Sequence, residues 1–186
     1  MDDWRDKVHR AIERVTEQYD NIGRMTGIPV LGVIVSPDVE ENVINEWRIQ
    51  SNTISGYRFE EIDVLKLTTD EVESLGVDHV VEMIENPMPG ANPESELGNI
   101  WVKAILDKIF ELCSERDEAE RLVVYLTRLG ALYPASTPRA LVQSMLERRG
   151  TLSTPIILFI PGSLTEPRAY KFLDSVEEFM YRGDLI

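Results

Sequence analysis

Nine residues of the last third hold the chemistry of this chain that is best placed to act: Thr127, Arg128, Gly130, Tyr133, Arg139, Pro161, Gly162, Ser163 and Arg168. Arginine presents a planar fork of donors that suits a carboxylate or a phosphate, and Thr and Ser add hydroxyls. Gly and Pro shape the turns that carry them. The combination favours recognition of an anion or an acidic partner over making and breaking bonds. The same residues can also serve structure alone. Tyr133-Pro134 and Pro161-Gly162 can be turn formers, Thr137 before Pro138 reads as a helix N-cap, and Arg139 can pair with a neighbouring Glu.

Other chemistry is hard to assemble. No Gly-x-x-x-x-Gly-Lys-Ser/Thr occurs, so the backbone cradle of a phosphate loop is missing. Ser36-Pro37-Asp38 stands after the first apolar run, where a dinucleotide fold needs glycines that let a pyrophosphate approach. No Gly-x-Ser-x-Gly elbow is present. His9 and His79 each lack a nearby second metal ligand, and a catalytic zinc needs three. Cys113 follows Trp101, Ile105 and Ile109 at four-residue steps, a core stripe in which a thiol is inert. The acid pairs Glu40-Glu41, Glu60-Glu61 and Glu71/Glu73 are adjacent or two apart. On a helix such spacings do not face one another, and a solvated face accounts for them. No metal and no cofactor is expected.

The elements that must position the nine residues are legible as apolar runs. Ile28 to Val35, Leu122 to Leu126 and Pro155 to Ile160 do not alternate with polar residues, so both faces must be covered, as in a parallel sheet under helices. A further strand is expected over Phe59 to Leu67. Helices are expected at 3–22, from Pro37 to about Ile49, and from Thr68, where Glu71 completes a capping box, to about Asn86 with an interruption at Gly76. A long helix is expected over about 96–118. One more should start at Thr137-Pro138-Arg139, and another should follow Pro161-Gly162. The result is one α/β domain over residues 1–186: a three-layer sandwich, Rossmann-like without a dinucleotide motif, with a central, mostly parallel sheet of about four strands. Three prolines and a glycine between Asn86 and Pro93 predict an exposed loop, taken to 86–96. In this class ligands and partners meet the loops beyond the carboxyl ends of the strands, and the nine residues fall there.

The succession of motifs in the last third resembles BrxB, the small conserved subunit of BREX (bacteriophage exclusion) defence systems. The residues that carry the resemblance are Val124 to Gly130, Tyr133-Pro134, Arg139-Ala140, Thr154-Pro155 to Phe159 with Pro161-Gly162, and Tyr181-Arg182. Leu141 stands where that family has a His, so any role of that His is absent here or carried elsewhere. Two extra residues also separate Tyr133-Pro134 from Arg139. The resemblance implies a non-enzymatic adaptor in phage resistance, docking on larger subunits. These are chiefly the phosphatase-fold protein PglZ, with the methyltransferase and ATPase of the system as further partners. The alternative is a small-anion or nucleotide-binding enzyme that uses the arginine loops. Because loop arginines add little to a core, reversing the charge of Arg128 and Arg139 is expected to leave the fold intact.

Charge bounds the partners. The 186 residues carry a net charge of −14. Residues 36–99 alone hold 15 acids and 3 bases, a net −12. Such a chain repels a phosphate backbone, and direct nucleic-acid binding is not expected. A charged N-terminus, one cysteine and no long apolar run predict a cytoplasmic protein without a membrane span.

Overall fold

The computed structural model describes residues 4–117, 119–148 and 152–186. The three continuous apolar runs form β1 (Val30–Val35), β3 (Arg121–Thr127) and the first half of β4 (Ile156–Glu166), all buried on both faces. They occupy the middle of a sheet ordered β2-β3-β4-β1-β7, in which β2 is Tyr57–Asp63 and β7 is Asp184–Leu185. Every neighbouring pair in that row is parallel. The edge strand β2 carries Arg58, Glu60, Glu61 and Asp63, charges that discourage pairing with another chain.

Helices cover both faces. On one face α1 (Trp4–Glu17) and α2 (Glu40–Ser51) bury Val8, Ala11, Val15, Val43 and Trp47 against Leu31, Val33, Val123 and Phe159. The Trp47 ring meets Phe59, Tyr125 and Phe159 edge-on at centroid distances of 5.9, 5.8 and 5.3 Å. On the other face α3 (Val64–Leu75), α5 (Pro93–Ser114) and α6 (Pro138–Glu147) close over Ile34, Val124, Leu126, Leu158 and Ile160. The α/β sandwich expected from the runs is the architecture observed. Among the described residues no helix is long and apolar enough to cross a membrane.

Three local expectations are corrected. Among the described residues the sheet has seven strands, and no helix follows Pro161-Gly162. Instead β4 continues through both residues and leads into an antiparallel meander with β5 (Ala169–Phe172) and β6 (Val176–Phe179). Pro161 is tolerated because it occupies the last rung opposite Val35, where a missing N–H costs little. Gly162 makes the redirection at φ 151, and a Cβ there would stand 2.0 Å from the Lys171 carbonyl. Leu173 and Asp174, both at positive φ, form the tight turn between β5 and β6 that matches strand twist. Tyr170 and Phe172 then alternate inward and are fully buried.

The second correction concerns α3, which starts at Val64 rather than Thr68. Asp63 accepts the Lys66 N–H at 3.1 Å and is the stronger cap, while Thr68 is buried and donates to the Leu65 carbonyl at 3.1 Å. Third, α5 opens at Pro93, capped by the Asn92 side chain on the Ser95 N–H. Proline at the first helical position lacks only an N–H that would have no helical partner. The irregular loop therefore ends at Asn92, and residues 93–96 are helical. The expected interruption at Gly76 is present and separates α3 from α4 (Val77–Glu85).

Candidate functional site

The carboxyl ends of β2 and β3 are tied together by acids of the middle third. Residues 59, 61 and 63 share one face of β2, because side chains alternate along a strand. In register, Glu61 lies opposite Tyr125 and Asp63 opposite Thr127. Glu61 accepts from Arg48 Nε and Nη2 at 2.9 and 2.6 Å, from Thr127 Oγ1 at 2.8 Å and from the Tyr125 hydroxyl at 3.2 Å. Burial pushes its pKa up, but the hydrogen bonds from Arg48 and Thr127 outweigh burial and leave it below the usual carboxylate value. Burial and the facing Glu61 charge push the Tyr125 hydroxyl up to about 12, so it stays a donor.

One residue further on, Asp63 both caps α3 and binds Arg128, whose Nε donates to its Oδ1 at 3.0 Å and whose second fork arm closes an ion pair. Arg128 sits at φ 55, ψ 41, the left-handed region that is unusual for a side-chain-bearing residue. The ion pair and the burial of the next turn hold it there: Leu129 and Leu132 are fully buried. Gly130 packs beside Leu173 and Pro161, linking this loop to the meander. The descending loop rests on α5 at Gly98, where a Cβ would stand 2.0 Å from the Ala135 carbonyl. Thr137 then accepts the Ala140 N–H at 3.2 Å and caps α6, as its spacing with Pro138 predicts. The whole segment is anchored at both ends. Tyr133, 49% exposed, is offered outward beside the exposed Pro134.

Glu40, the first residue of α2, lies near the same edge. Its Oε1 is buried and, among the described residues, has no hydrogen-bond partner. Burial, then Glu41, push its pKa up to about 7, with Arg128 opposing. Beyond β1, Ser36 donates to Asp38 within a tight turn. An open cleft of about 750 Å³ lies there, lined by Ser36, Asp38, Ser163 and Leu164 from the strand ends and by Lys7 from α1. Lys7 Nζ donates to the Ile34 carbonyl at 2.9 Å, closing the outer side of β1 beyond the point where β7 ends.

The nine sequence-selected residues divide into two places. Thr127, Arg128, Gly130, Tyr133, Pro161, Gly162 and Ser163 belong to the strand-end edge. Arg139 and Arg168 meet elsewhere, at Tyr181: the Arg139 guanidinium lies 5.5 Å from its ring centre, and Arg168 Nη1 donates to its carbonyl at 3.2 Å. Beside Arg139, Glu178, 8% exposed, accepts from the Tyr170 hydroxyl at 2.6 Å and the Arg139 backbone N–H at 3.3 Å. The three arginines therefore do not share a set of partners. Leu141, on the inner face of α6, is fully buried in the core.

The residues that sequence reasoning missed are Glu40, Glu61 and Asp63. Treating the paired acids as a solvated face is corrected for Glu61, whose side chain is 23% exposed and fully engaged. The available signal was the two-residue period of a strand, in which Phe59, Glu61 and Asp63 share a face. His9 and His79 are exposed, and His9 pairs with Glu13 at 3.2 Å. Cys113 packs partly buried against the core, and burial pushes its thiol pKa up. Among the described residues no group of three or more His, Cys, Asp or Glu could hold a metal ion. Compared with known proteins, the chain matches no family model, no curated protein and no solved structure at a significant level.

Proposed function

We propose that this chain is a non-enzymatic adaptor of a BREX-type phage-defence complex, acting in the cytoplasm. It docks on larger subunits, first a PglZ-like protein of phosphatase fold, with the methyltransferase and ATPase of such a system as further partners. The defence-system part of this proposal stands on the motif resemblance of the last third to BrxB. The docking part is carried by one observation, the anchored loop from Arg128 to Ser136. Its arginine is bound to Asp63, its backbone rests on α5, and its outward face presents a half-exposed tyrosine next to Pro134. Tyrosine on backbone that is already ordered loses little entropy on binding and is enriched at the centres of protein interfaces.

A pull-down of the tagged chain from its native host, beside Tyr133→Ala, tests this. A PglZ-like protein should co-purify with the wild type and be lost from the variant, while circular dichroism and melting temperature stay unchanged. A wild-type chain that brings down no such protein refutes the adaptor. Retention by the folded variant removes this loop from the interface.

A further inference from the structure

In helix α4 Val80 is the one buried residue, with Met83 partly buried. Val80 is 5% exposed, whereas Val77, Val81 and Ile84 are 53, 45 and 50% exposed. Steps of four and three residues place those three on one face of the helix. Leu75 before it and Met88 after it, 39 and 77% exposed, lengthen the apolar surface. Among the described residues six of the twelve exposed large hydrophobics lie between positions 65 and 88, so they are not scattered as ordinary surface apolar residues are.

Charge decides what can cover this face. From Leu67 to Val102 the sequence has eight acids and no Lys or Arg. Asp78, Glu82 and Glu85, all exposed, flank the stripe along one side of α4, and Glu73, also exposed, precedes it on α3. A second copy of the chain, meeting this face with the same face, would bring two acidic rims together. Nucleic acid and anionic lipid are repelled for the same reason. An apolar groove with a basic rim satisfies both the stripe and its border, as in helix-in-groove recognition.

We propose that the outer face of α4 docks in an apolar groove rimmed by Lys and Arg on a partner protein. This rests on the adaptor reading and supplies a surface and a partner chemistry for it. The apolar stripe provides the adhesion, and the acidic border sets orientation and speeds encounter.

The test places a photo-reactive benzoylphenylalanine at position 81 of the full chain in its native host, with position 146 on α6 as control. The expected adduct forms from position 81 only. Its cross-linked partner peptide contains apolar residues flanked by Lys or Arg, and its yield falls as salt is raised. With that partner purified, Val81→Glu combined with Ile84→Glu should weaken binding about thirtyfold or more. Should that pair unfold the chain, Val81→Ser with Ile84→Ser replaces it, with the same direction expected. An adduct between two copies overturns the proposal, as does one on a patch without bases or affinity kept within about twofold by a folded variant. If the wild type recovers a PglZ-like protein but position 81 gives no adduct, α4 is excluded and the adaptor stands. If the wild type recovers no protein, the adaptor fails with it.

Discussion

Glu40→Gln should make this protein more stable at pH 8 and leave it nearly unchanged at pH 4.5. A carboxylate at the first residue of a helix normally gains from the helix dipole. Here burial of Oε1 without a partner, and Glu41 beside it, outweigh both the dipole and Arg128 and raise the pKa from 4.5 to about 7. The folded state thus keeps a proton that the unfolded chain releases above about pH 4.5. The contribution of Glu40 to stability therefore falls as pH rises between 4.5 and about 7, by about 1.4 kcal/mol per pH unit at most, and levels off above that. The full difference corresponds to about 3 kcal/mol, and partial solvent access reduces the expectation to about 2 kcal/mol. Glutamine keeps the size and cannot ionise, so it removes this loss. For a chain of this length about 2 kcal/mol is about 4–8 °C in melting temperature. Thermal unfolding of both proteins from pH 4.5 to 8 measures it, and other titrating groups cancel in the difference. Parallel pH profiles, or a Gln variant less stable at pH 8, would refute the argument that Glu40 is a desolvated carboxyl.

Arg128→Glu should destabilise the fold by about 2–4 kcal/mol in urea unfolding, because it removes the partner of Asp63 and adds a carboxylate near Glu40. A fold of unchanged stability would restore the view that this is a free loop arginine. Gly162→Ala forces a Cβ into the Lys171 carbonyl and should cost at least about 3 kcal/mol, visible as a large fall in melting temperature or a loss of soluble protein. Glu61→Ala should cost about 2–4 kcal/mol at pH 7 by leaving Arg48, Thr127 and Tyr125 without their acceptor. Since the Glu61 pKa is depressed, the wild type holds this contribution above the ordinary glutamate pKa of 4.5 and loses it as pH falls below, so the difference between the two should shrink in acid.

Much of the fold is written in local pattern. Unbroken apolar runs identify β1, β3 and β4 as central, because a strand covered on both faces cannot alternate. Helical periodicity, the Thr137-Pro138 cap and the break at Gly76 are local in the same way. The strand-end position of Thr127 and Arg128 follows from chain order alone. What the chain does after Gly162 is not local. The run from Ala169 to Phe179 alternates over two four-residue strands only, and whether it pairs depends on β4 extending past the parallel row to receive it.

The acids show the same division most clearly. Composition placed them in the middle third and assigned them to solvent. Only the parallel register of β2 against β3 put Glu61 beneath Tyr125 and Thr127, and Asp63 beside Arg128, more than sixty residues away. The exposure of the α4 face likewise needed the tertiary structure, since an amphipathic pattern says that one face is apolar but not that it lacks a neighbour. Secondary structure and sheet position depend on near neighbours in sequence and are decided there. Ion pairing, carboxyl protonation and an uncovered helix face depend on which distant segments meet, and those meetings exist only once the chain has folded.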